Sequence, residues 1–138
     1  MSYITQQNLE DEIGGHAKLV EALDDTGSGS LPPGSVDRLT QRASLAVDAF
    51  LQGRYITPLS PVPALAAEAA LIFACEILFN RRRQALDEKN PYSSRANDFR
   101  DRLKRISDRE ESLDAAERPA FTPGAIISEP SALTGSSL

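Results

Sequence analysis

Histidine and cysteine, the residues that most often carry catalysis or bind metals, each occur once in this chain. His16 follows Gly15 without the H-E-x-x-H spacing of a zinc protease, and it is the only histidine base available to a serine or cysteine nucleophile. Cys75 stands between Ile72 and Leu78 in an apolar stretch, so we expect a buried, unreactive thiol and no disulfide, redox or metal site. These residues favour a protein that is not an enzyme.

The loop that begins at Asp24 matches only the first half of a calcium-binding loop. Asp24, Thr26, Ser28 and Gly29 fit the start of that pattern, but Ser35 occupies the last ligand position in place of a bidentate glutamate. A single carboxylate holds a hard dication weakly, and the glycines of this loop lack the spacing of a phosphate-binding loop. We therefore expect a flexible loop that binds neither a metal nor a cofactor.

Two carboxylates, Glu68 and Glu76, interrupt an otherwise apolar segment and lie two helical turns apart. Paired carboxylates can hydrolyse glycosides, but that chemistry also needs a cleft with sugar-binding aromatic residues, and the chain has only 3 Tyr and 5 Phe. On a helix, both glutamates share one side with Asn80 and Arg83. We predict that this polar strip meets a neighbouring helix or a neighbouring subunit.

Three consecutive arginines, Arg81, Arg82 and Arg83, end the apolar segment. Cations at the C-terminal end of a helix interact favourably with its dipole, which is one sufficient explanation. The other explanation is contact with an acidic partner surface or with nucleic acid. The sequence leaves both interpretations open.

The charge of the chain is acidic and unevenly distributed. Its 138 residues suffice for one domain with a single core, and 20 acidic against 15 basic side chains argue against general nucleic-acid binding. Residues 1–69 carry 9 acidic and 4 basic side chains, whereas residues 81–109 carry 5 acidic and 10 basic ones. This asymmetry suits head-to-tail contacts between copies, although a solvated surface would show it too.

The elements that must position these residues are all helical, and we predict an all-α bundle of three main helices and short N-terminal ones, without a β-sheet. Thr5 caps a first short helix that ends at Gly14, and a second short helix covers residues 16–23. Ser35 caps a helix over residues 35–53, which Gly53 ends in the left-handed conformation.

Prolines then hold residues 55–62 extended, and Pro63 opens an almost wholly apolar central helix over residues 64–84. Ser93 or Ser94 caps a last helix that continues to residue 117. Apolar side chains that recur every three or four residues predict the core. Its predicted members are Leu39, Ala43, Val47, Phe50, Ala67, Leu71, Cys75, Leu78, Phe99, Leu103 and Ile106.

Proline and glycine interrupt the C-terminal residues, so we divide the chain into a helical domain, residues 1–118, and a tail, residues 119–138, that is disordered when free. Phe121, Ile126 and Ile127 make this tail more apolar than a linker needs, which predicts docking on a neighbouring protein. The N-terminus lacks the regions of a signal peptide, and the longest apolar run is too short and too charged to cross a bilayer. We expect synthesis in the cytoplasm and no membrane partner.

Several of these features, in this order, resemble one family. The chain opens with Tyr3-Ile4-Thr5, and Gly53-Arg54-Tyr55 is followed by Pro58-Leu59 and Val62-Pro63, ahead of the apolar helix that ends in arginines. Over residues 2 to about 110, this arrangement resembles the head–tail connector (adaptor) proteins of Mu-like tailed bacteriophages and prophages. The tail lies outside the resemblance.

The resemblance implies a virion protein of the phage neck, made in the bacterial host cytoplasm, that forms a homo-oligomeric ring, twelve-fold in the family, beneath the portal protein. Such a ring extends the channel through which genome DNA passes, without sequence-specific binding, and docks the next neck or tail protein. No catalytic residue and no cofactor is implied. As contacts to the portal or to another subunit we single out Arg81, Arg82, Arg83, Phe121, Ile126 and Ile127.

The alternative is a small helical DNA-binding or regulatory protein, which would use the three arginines and the basic face of the last helix. The two functions differ in salt dependence, because a DNA-binding protein loses affinity steeply as salt rises.

Overall fold

Five α-helices pack around one core in a computed structural model of the protein, which describes residues 2–82 and 89–119. The helices are α1 (Gln6–Ile13), α2 (His16–Leu23), α3 (Ser35–Leu51), α4 (Ala64–Arg82) and α5 (Ser93–Ser107). The described residues contain no β-strand, and the one β-type pairing among them is an isolated bridge between Tyr55 and Glu117. The all-α class predicted from the sequence is confirmed.

Helix α4 is the central helix, because each of the other four helices contacts it. Its inner positions include four alanines with no exposed surface, namely Ala66, Ala69, Ala70 and Ala74. The distance between packed helices depends on the side chains at the contact, so these methyl groups let neighbouring helices approach α4 closely. Apolar as α4 is, none of the described helices combines the length and the hydropathy needed to cross a membrane.

The N-terminal residues belong to the core as well. Tyr3 and Ile4 are buried, and Thr5 caps α1 as predicted. The Thr5 hydroxyl accepts a hydrogen bond from the Asn8 N–H, and the Asn8 side chain accepts one from the Thr5 N–H, which forms a capping box. Gly14 ends α1 with φ at 105°, a left-handed conformation that glycine adopts without strain.

Most of the predicted core is buried, but part of it is not. The buried members are Leu39, Ala43, Val47, Cys75, Leu78, Leu103 and Ile106. Phe50, Leu71 and Phe99 are only half-buried and pack against the edge of the core, and half-buried Ala67 does not belong to it. On α4 the cause is clear, because a helix that is apolar nearly all round has no periodicity to mark its inner face. Two fully buried residues of the irregular linker after α3, Tyr55 and Leu59, had no periodic signal and were missed.

Both ends of α3, and the start of α5, differ from their predictions. Gly34, left-handed with φ at 74°, holds the N-cap position of α3, so Ser35 is already the first helical residue and caps nothing. Ser93 is likewise the first residue of α5, where Tyr92 holds the cap position without a side-chain bond. At the other end of α3 the helix stops at Leu51, and Gly53 does not adopt a positive φ.

Helix α5 ends at Ser107 and does not reach residue 117. The Glu110 N–H donates to the Arg105 carbonyl at 2.8 Å, and the Arg109 N–H donates to the Ile106 carbonyl at 3.1 Å. With Arg109 in the left-handed conformation (φ 69°), these bonds form a Schellman motif, which ends a helix by satisfying its last carbonyl groups. Residues 108–118, here called the return segment, then fold back along the linker that follows α3.

The predicted tail falls almost wholly beyond the residues that the structure describes. Residues 120–138, with Phe121, Ile126 and Ile127, lie outside them, as do residues 83–88 with Arg83. The division into residues 1–118 and 119–138 therefore stays a prediction.

Replacing fully buried Leu103 by alanine should lower the free energy of unfolding by about 2–5 kcal/mol, because the change leaves a cavity in the core. Leu71→Ala should cost clearly less, since Leu71 is half-buried and its truncation removes less area from contact. Urea unfolding followed by circular dichroism measures both variants. Equal losses would contradict the packing described above.

Candidate assembly surface

Arg54 is a charged residue with a buried side chain, 7% exposed, just after α3. Its Nη1 donates to the carbonyl groups of Ile106 and Glu111, both at 2.6 Å, and its Nη2 donates to the Ser112 hydroxyl at 3.1 Å. The Glu117 carboxylate lies 3.4 Å from both Nη2 and Nε. A planar guanidinium with five donors can serve all four partners at once, which a lysine cannot. We call this arrangement the Arg54 clasp.

Backbone and tyrosine contacts hold the return segment next to the clasp. The Arg118 N–H donates to the Arg54 carbonyl at 2.8 Å. The Tyr55 hydroxyl accepts from the Leu113 N–H at 2.8 Å, and its ring centroid lies 5.0 Å from the Arg54 Cζ, within cation–π range. The segment after α5 is therefore fixed to the end of α3.

Tyr3 ties the N-terminus to α3 and to the linker. Its hydroxyl donates to the Asp48 carboxylate and accepts from the Leu59 N–H at 2.9 Å, while its backbone N–H donates to the Ser44 hydroxyl at 2.9 Å. Burial, followed by the hydrogen bond to Asp48, raises the pKa of Tyr3 to about 12. The hydroxyl therefore stays protonated near neutral pH and remains a donor.

The residues that carry the family resemblance thus have structural roles. Tyr3, Arg54, Tyr55 and Leu59 are all buried, and their polar groups bind partners within the domain. Sequence reasoning missed the role of Arg54, because its acceptors lie far along the chain and a lone arginine after a helix gives no signal of them.

The polar strip predicted on the central helix meets a neighbouring helix. Arg100 of α5 donates to the Glu76 carboxylate, and the Asn80 side-chain oxygen accepts from the Asn90 amide at 3.0 Å. Glu68, the other carboxylate of the strip, is exposed. For Glu76 and Asn80, the partner is therefore within the same chain.

The basic side chains of α5 are largely paired with carboxylates of the same domain. Glu111 accepts from the Nε atoms of Arg105 at 2.8 Å and of Arg102 at 3.0 Å, and these hydrogen bonds, that from Arg105 first, lower the pKa of Glu111. Further pairs join Arg95 to Glu12, Lys104 to Asp108 and Arg109 to Glu117. Most of the positive charge on this face is therefore compensated.

At the end of α4, one guanidinium nitrogen of Arg81 contacts both carboxylate oxygens of Asp25 in an ion pair. Its Nη2 lies 3.0 Å from Oδ1 and 2.8 Å from Oδ2. Both side chains are exposed, and such a pair contributes roughly 0–1 kcal/mol, so a partner protein can displace it at little cost. Arg82 is the last residue of α4, and the structure describes neither its side chain nor Arg83. The role of these three arginines as contact residues stays a prediction.

A groove between α4 and α5, with a volume of about 340 Å³, has an apolar floor. Leu71 and Phe99, two of the half-buried residues expected in the core, form that floor together with buried Ile72. Charged side chains of both signs form its rim: Glu12, Glu68, Asp98, Arg95 and Arg102. An apolar centre with a polar rim is the usual anatomy of a protein–protein contact. Elsewhere, Leu45 is 56% exposed and Ile56 is 51% exposed.

The Asp24 loop uses its carboxylate for its own structure. Asp24 accepts from the Gly29 N–H at 2.7 Å and from the Thr26 N–H at 3.1 Å, and these bonds, that from Gly29 first, lower the pKa of Asp24. Within residues 2–82 and 89–119, no group of three or more His, Cys, Asp or Glu side chains is placed to hold a metal ion.

The single histidine and the single cysteine lie apart. His16 is exposed, with its Nδ1 2.8 Å from the Glu10 carboxylate. Cys75 is buried as predicted, and burial raises the pKa of its thiol to about 12, which keeps it protonated and unreactive.

Glu111 and Glu117 should make the return segment sensitive to acid. Hydrogen bonds from Arg54 first, and also from Arg109, hold the pKa of Glu117 below its ordinary value of 4.5. Because the native-state pKa values lie below the unfolded-state value, the stabilisation is fully present above pH 4.5 and is lost as the pH falls through the native-state values. A double variant, E111Q/E117Q, should therefore be less stable than the wild type at neutral pH, and the difference should shrink in acid.

Urea unfolding at a series of pH values, from neutral to about pH 2, measures the difference in stability between the wild type and the double variant. This range covers the pH at which carboxylates titrate. E110Q is the matched control, because Glu110 lies in the same segment and has no ion pair among the described residues. A difference between wild type and double variant that stays constant down to the lowest pH would rule out the proposed linkage.

Residues 3–126 match the sequence model of a protein family described as Bacteriophage Mu, Gp36. This stretch contains Tyr3, the Arg54 clasp and the whole return segment. It is longer than the resemblance over residues 2 to about 110 and reaches into the predicted tail. A comparison with curated proteins gives no match. Since the family match spans most of the 138 residues, the protein belongs to the Bacteriophage Mu Gp36 family.

Proposed function

We propose that the protein is the head–tail connector of a Mu-like phage, a structural component of the virion neck that forms a ring beneath the portal and docks the next neck or tail protein. The observation that carries this proposal is the match of residues 3–126 to a Mu phage protein family. The Tyr3-Ile4-Thr5 and Gly53-Arg54-Tyr55 blocks, which resemble those of connectors, lie within the match. In this role the protein extends the DNA channel and catalyses no reaction.

The fold supports this role because a ring subunit must present two different surfaces at a fixed separation. Contacts in a closed ring are heterologous, so one patch of each copy meets another patch of the next. The groove floored by Leu71 and the arginine cluster that begins at Arg81 are two such patches, separated along α4 by about 15 Å at a rise of 1.5 Å per residue. The Arg54 clasp keeps α5, which forms one wall of the groove, in a fixed position.

The tail extends the proposed contact surface. Phe121, Ile126 and Ile127 supply apolar side chains that can fill a groove on the portal or on an adjacent subunit, and the prolines of the tail favour an extended conformation. Residues 119–138 would then become ordered when the ring assembles.

The alternative function, a small DNA-binding or regulatory protein, has less support. DNA binding gains most of its affinity from cations that replace the counterions of phosphate groups. On α5 these cations already have carboxylate partners, since Arg100 pairs with Glu76 while Arg102 and Arg105 pair with Glu111.

Inactivating the gene in an inducible prophage tests the proposal. Without the protein, we expect DNA-filled heads and complete tails that do not join, and wild-type protein supplied from a plasmid should restore infectious particles. The triple variant Arg81→Glu, Arg82→Glu, Arg83→Glu should restore at least about tenfold fewer, the effect of losing roughly 1.4 kcal/mol of contact energy. Plaque counts and electron micrographs of the lysates measure both outcomes.

Lys104→Glu is the matched control, because it reverses an exposed cation on α5 away from the arginine cluster and should restore normal yields. Circular dichroism of the purified variants should show unchanged helicity. Normal particles in the absence of the protein, or a block before DNA enters the head, would contradict the connector function.

A further inference from the structure

The Ser35 hydroxyl is the one buried side-chain polar atom among the described residues that has no hydrogen-bond partner. Ser35 is 9% exposed and is the first residue of α3, whose cap position is held by Gly34. Buried hydroxyl groups are nearly always paired, so an unpaired one requires an explanation. Ser35 lies in the wall of an open groove. Its hydroxyl is itself buried, so a ligand in that groove would supply the missing partner once the side chain turns towards it.

This groove, with a volume of about 400 Å³, lies between the first two turns of α3 and the last turns of α4. Three arginines line it, Arg38 and Arg42 from α3 and Arg81 from α4. Residues three, four and seven positions apart share one side of a helix, so Arg38 and Arg42 lie on the same side of α3 as Ser35. Donors from two helices therefore converge on one groove.

Most of the positive charge in the groove is uncompensated. Asp25 is the only carboxylate in the lining, and both of its oxygens bind Arg81. Arg38 and Arg42 have no carboxylate partner within the described part of the chain, and Arg38 contacts only the Pro33 carbonyl, at 3.4 Å. The positive end of the α3 dipole adds to the same field. The groove is therefore positively charged, although the chain as a whole has a net charge of −5.

We propose that the groove binds a phosphate group, either as the free ion or on a nucleic-acid backbone. Guanidinium groups and a serine hydroxyl donate from different directions, and the tetrahedral oxygens of phosphate accept from several directions at once. With three arginines and one aspartate in the lining, two positive charges remain, which suits a doubly charged anion better than a second carboxylate. The start of a long helix beside guanidinium groups is a recurrent setting for phosphate.

Titration of the ¹⁵N-labelled full-length protein with sodium phosphate, at constant ionic strength, tests the proposal. The amide signals of residues 35–42 and of Arg81 should shift and saturate. Arg42→Gln should weaken phosphate binding by about tenfold or more, and Ser35→Ala by about threefold or more, as expected for the loss of a charged and of a neutral hydrogen bond. Ser35→Ala should not lower the melting temperature, because the hydroxyl has no partner in the free protein.

Arg95→Gln is the matched control, since Arg95 is an exposed arginine that lines the other groove, at Leu71, and its loss should leave phosphate binding unchanged.

A parallel titration with a short duplex of mixed sequence identifies the source of the phosphate. Saturation of the same signals at a lower concentration of DNA than of inorganic phosphate assigns the site to backbone phosphates. Saturation by inorganic phosphate alone assigns it to the free ion.

Shifts that grow without saturation, or that are as large in Arg42→Gln as in the wild type, would overturn the proposal. It would also be overturned if Arg42→Gln abolished self-association in analytical ultracentrifugation and left the phosphate response intact, because the groove would then hold a carboxylate of a second copy. The phosphate site can fail or succeed independently of the connector function.

Discussion

A guanidinium removed from water keeps its charge, so its N–H groups need acceptors inside the protein. Arg54 finds them in the carbonyl groups of Ile106 and Glu111, the Ser112 hydroxyl and the Glu117 carboxylate, the first of them 52 residues later in the chain. The end of α5 at Ser107 fits this requirement, because Glu111, Ser112 and Glu117 all lie beyond it. If the helix continued, these three residues would lie further along its axis, at about 1.5 Å per residue, and away from the guanidinium.

The same constraint separates the interior of the domain from its contact surface. Tyr3, Arg54 and Tyr55 are buried and bind partners within the domain, so the residues on which the sequence resemblance rests hold the fold together. The exposed features proposed above for partners lie elsewhere, at the groove beside Leu71 and at the basic groove lined by Ser35 and Arg81. Because the clasp fixes α5 and the return segment against α3, these features keep a constant relation to each other, which the proposed ring requires.

Periodicity was enough to predict the helices and their class, because amphipathic spacing and turn residues are local. It failed where a distant residue or a special backbone conformation decides the outcome. The charged pattern after Ser107 predicts that α5 continues. The Schellman motif at Arg109 ends the helix instead, and the residues that follow supply acceptors to Arg54. Serine is a favoured N-cap residue, which is why the sequence predicts that Ser35 caps α3. Left-handed Gly34 takes that position instead, and the Ser35 hydroxyl has no partner. Nothing in the sequence of α4 distinguishes the half-buried Leu71 from the alanines that face the core.

Native-state hydrogen exchange in the variant Arg54→Lys tests most directly whether the clasp holds the return segment. The substitution keeps the positive charge and most of the side-chain stem but removes the planar set of donors. The amide of Leu113 donates to Tyr55, and the amide of Arg118 donates to the Arg54 carbonyl. The account predicts that the protection factors of these two amides fall at least about tenfold more than those of the amides within α3. A tenfold difference corresponds to a local opening that is easier by roughly 1.4 kcal/mol. Equal changes in the return segment and in α3 would show that the segment is held by other contacts and would contradict the central role of Arg54.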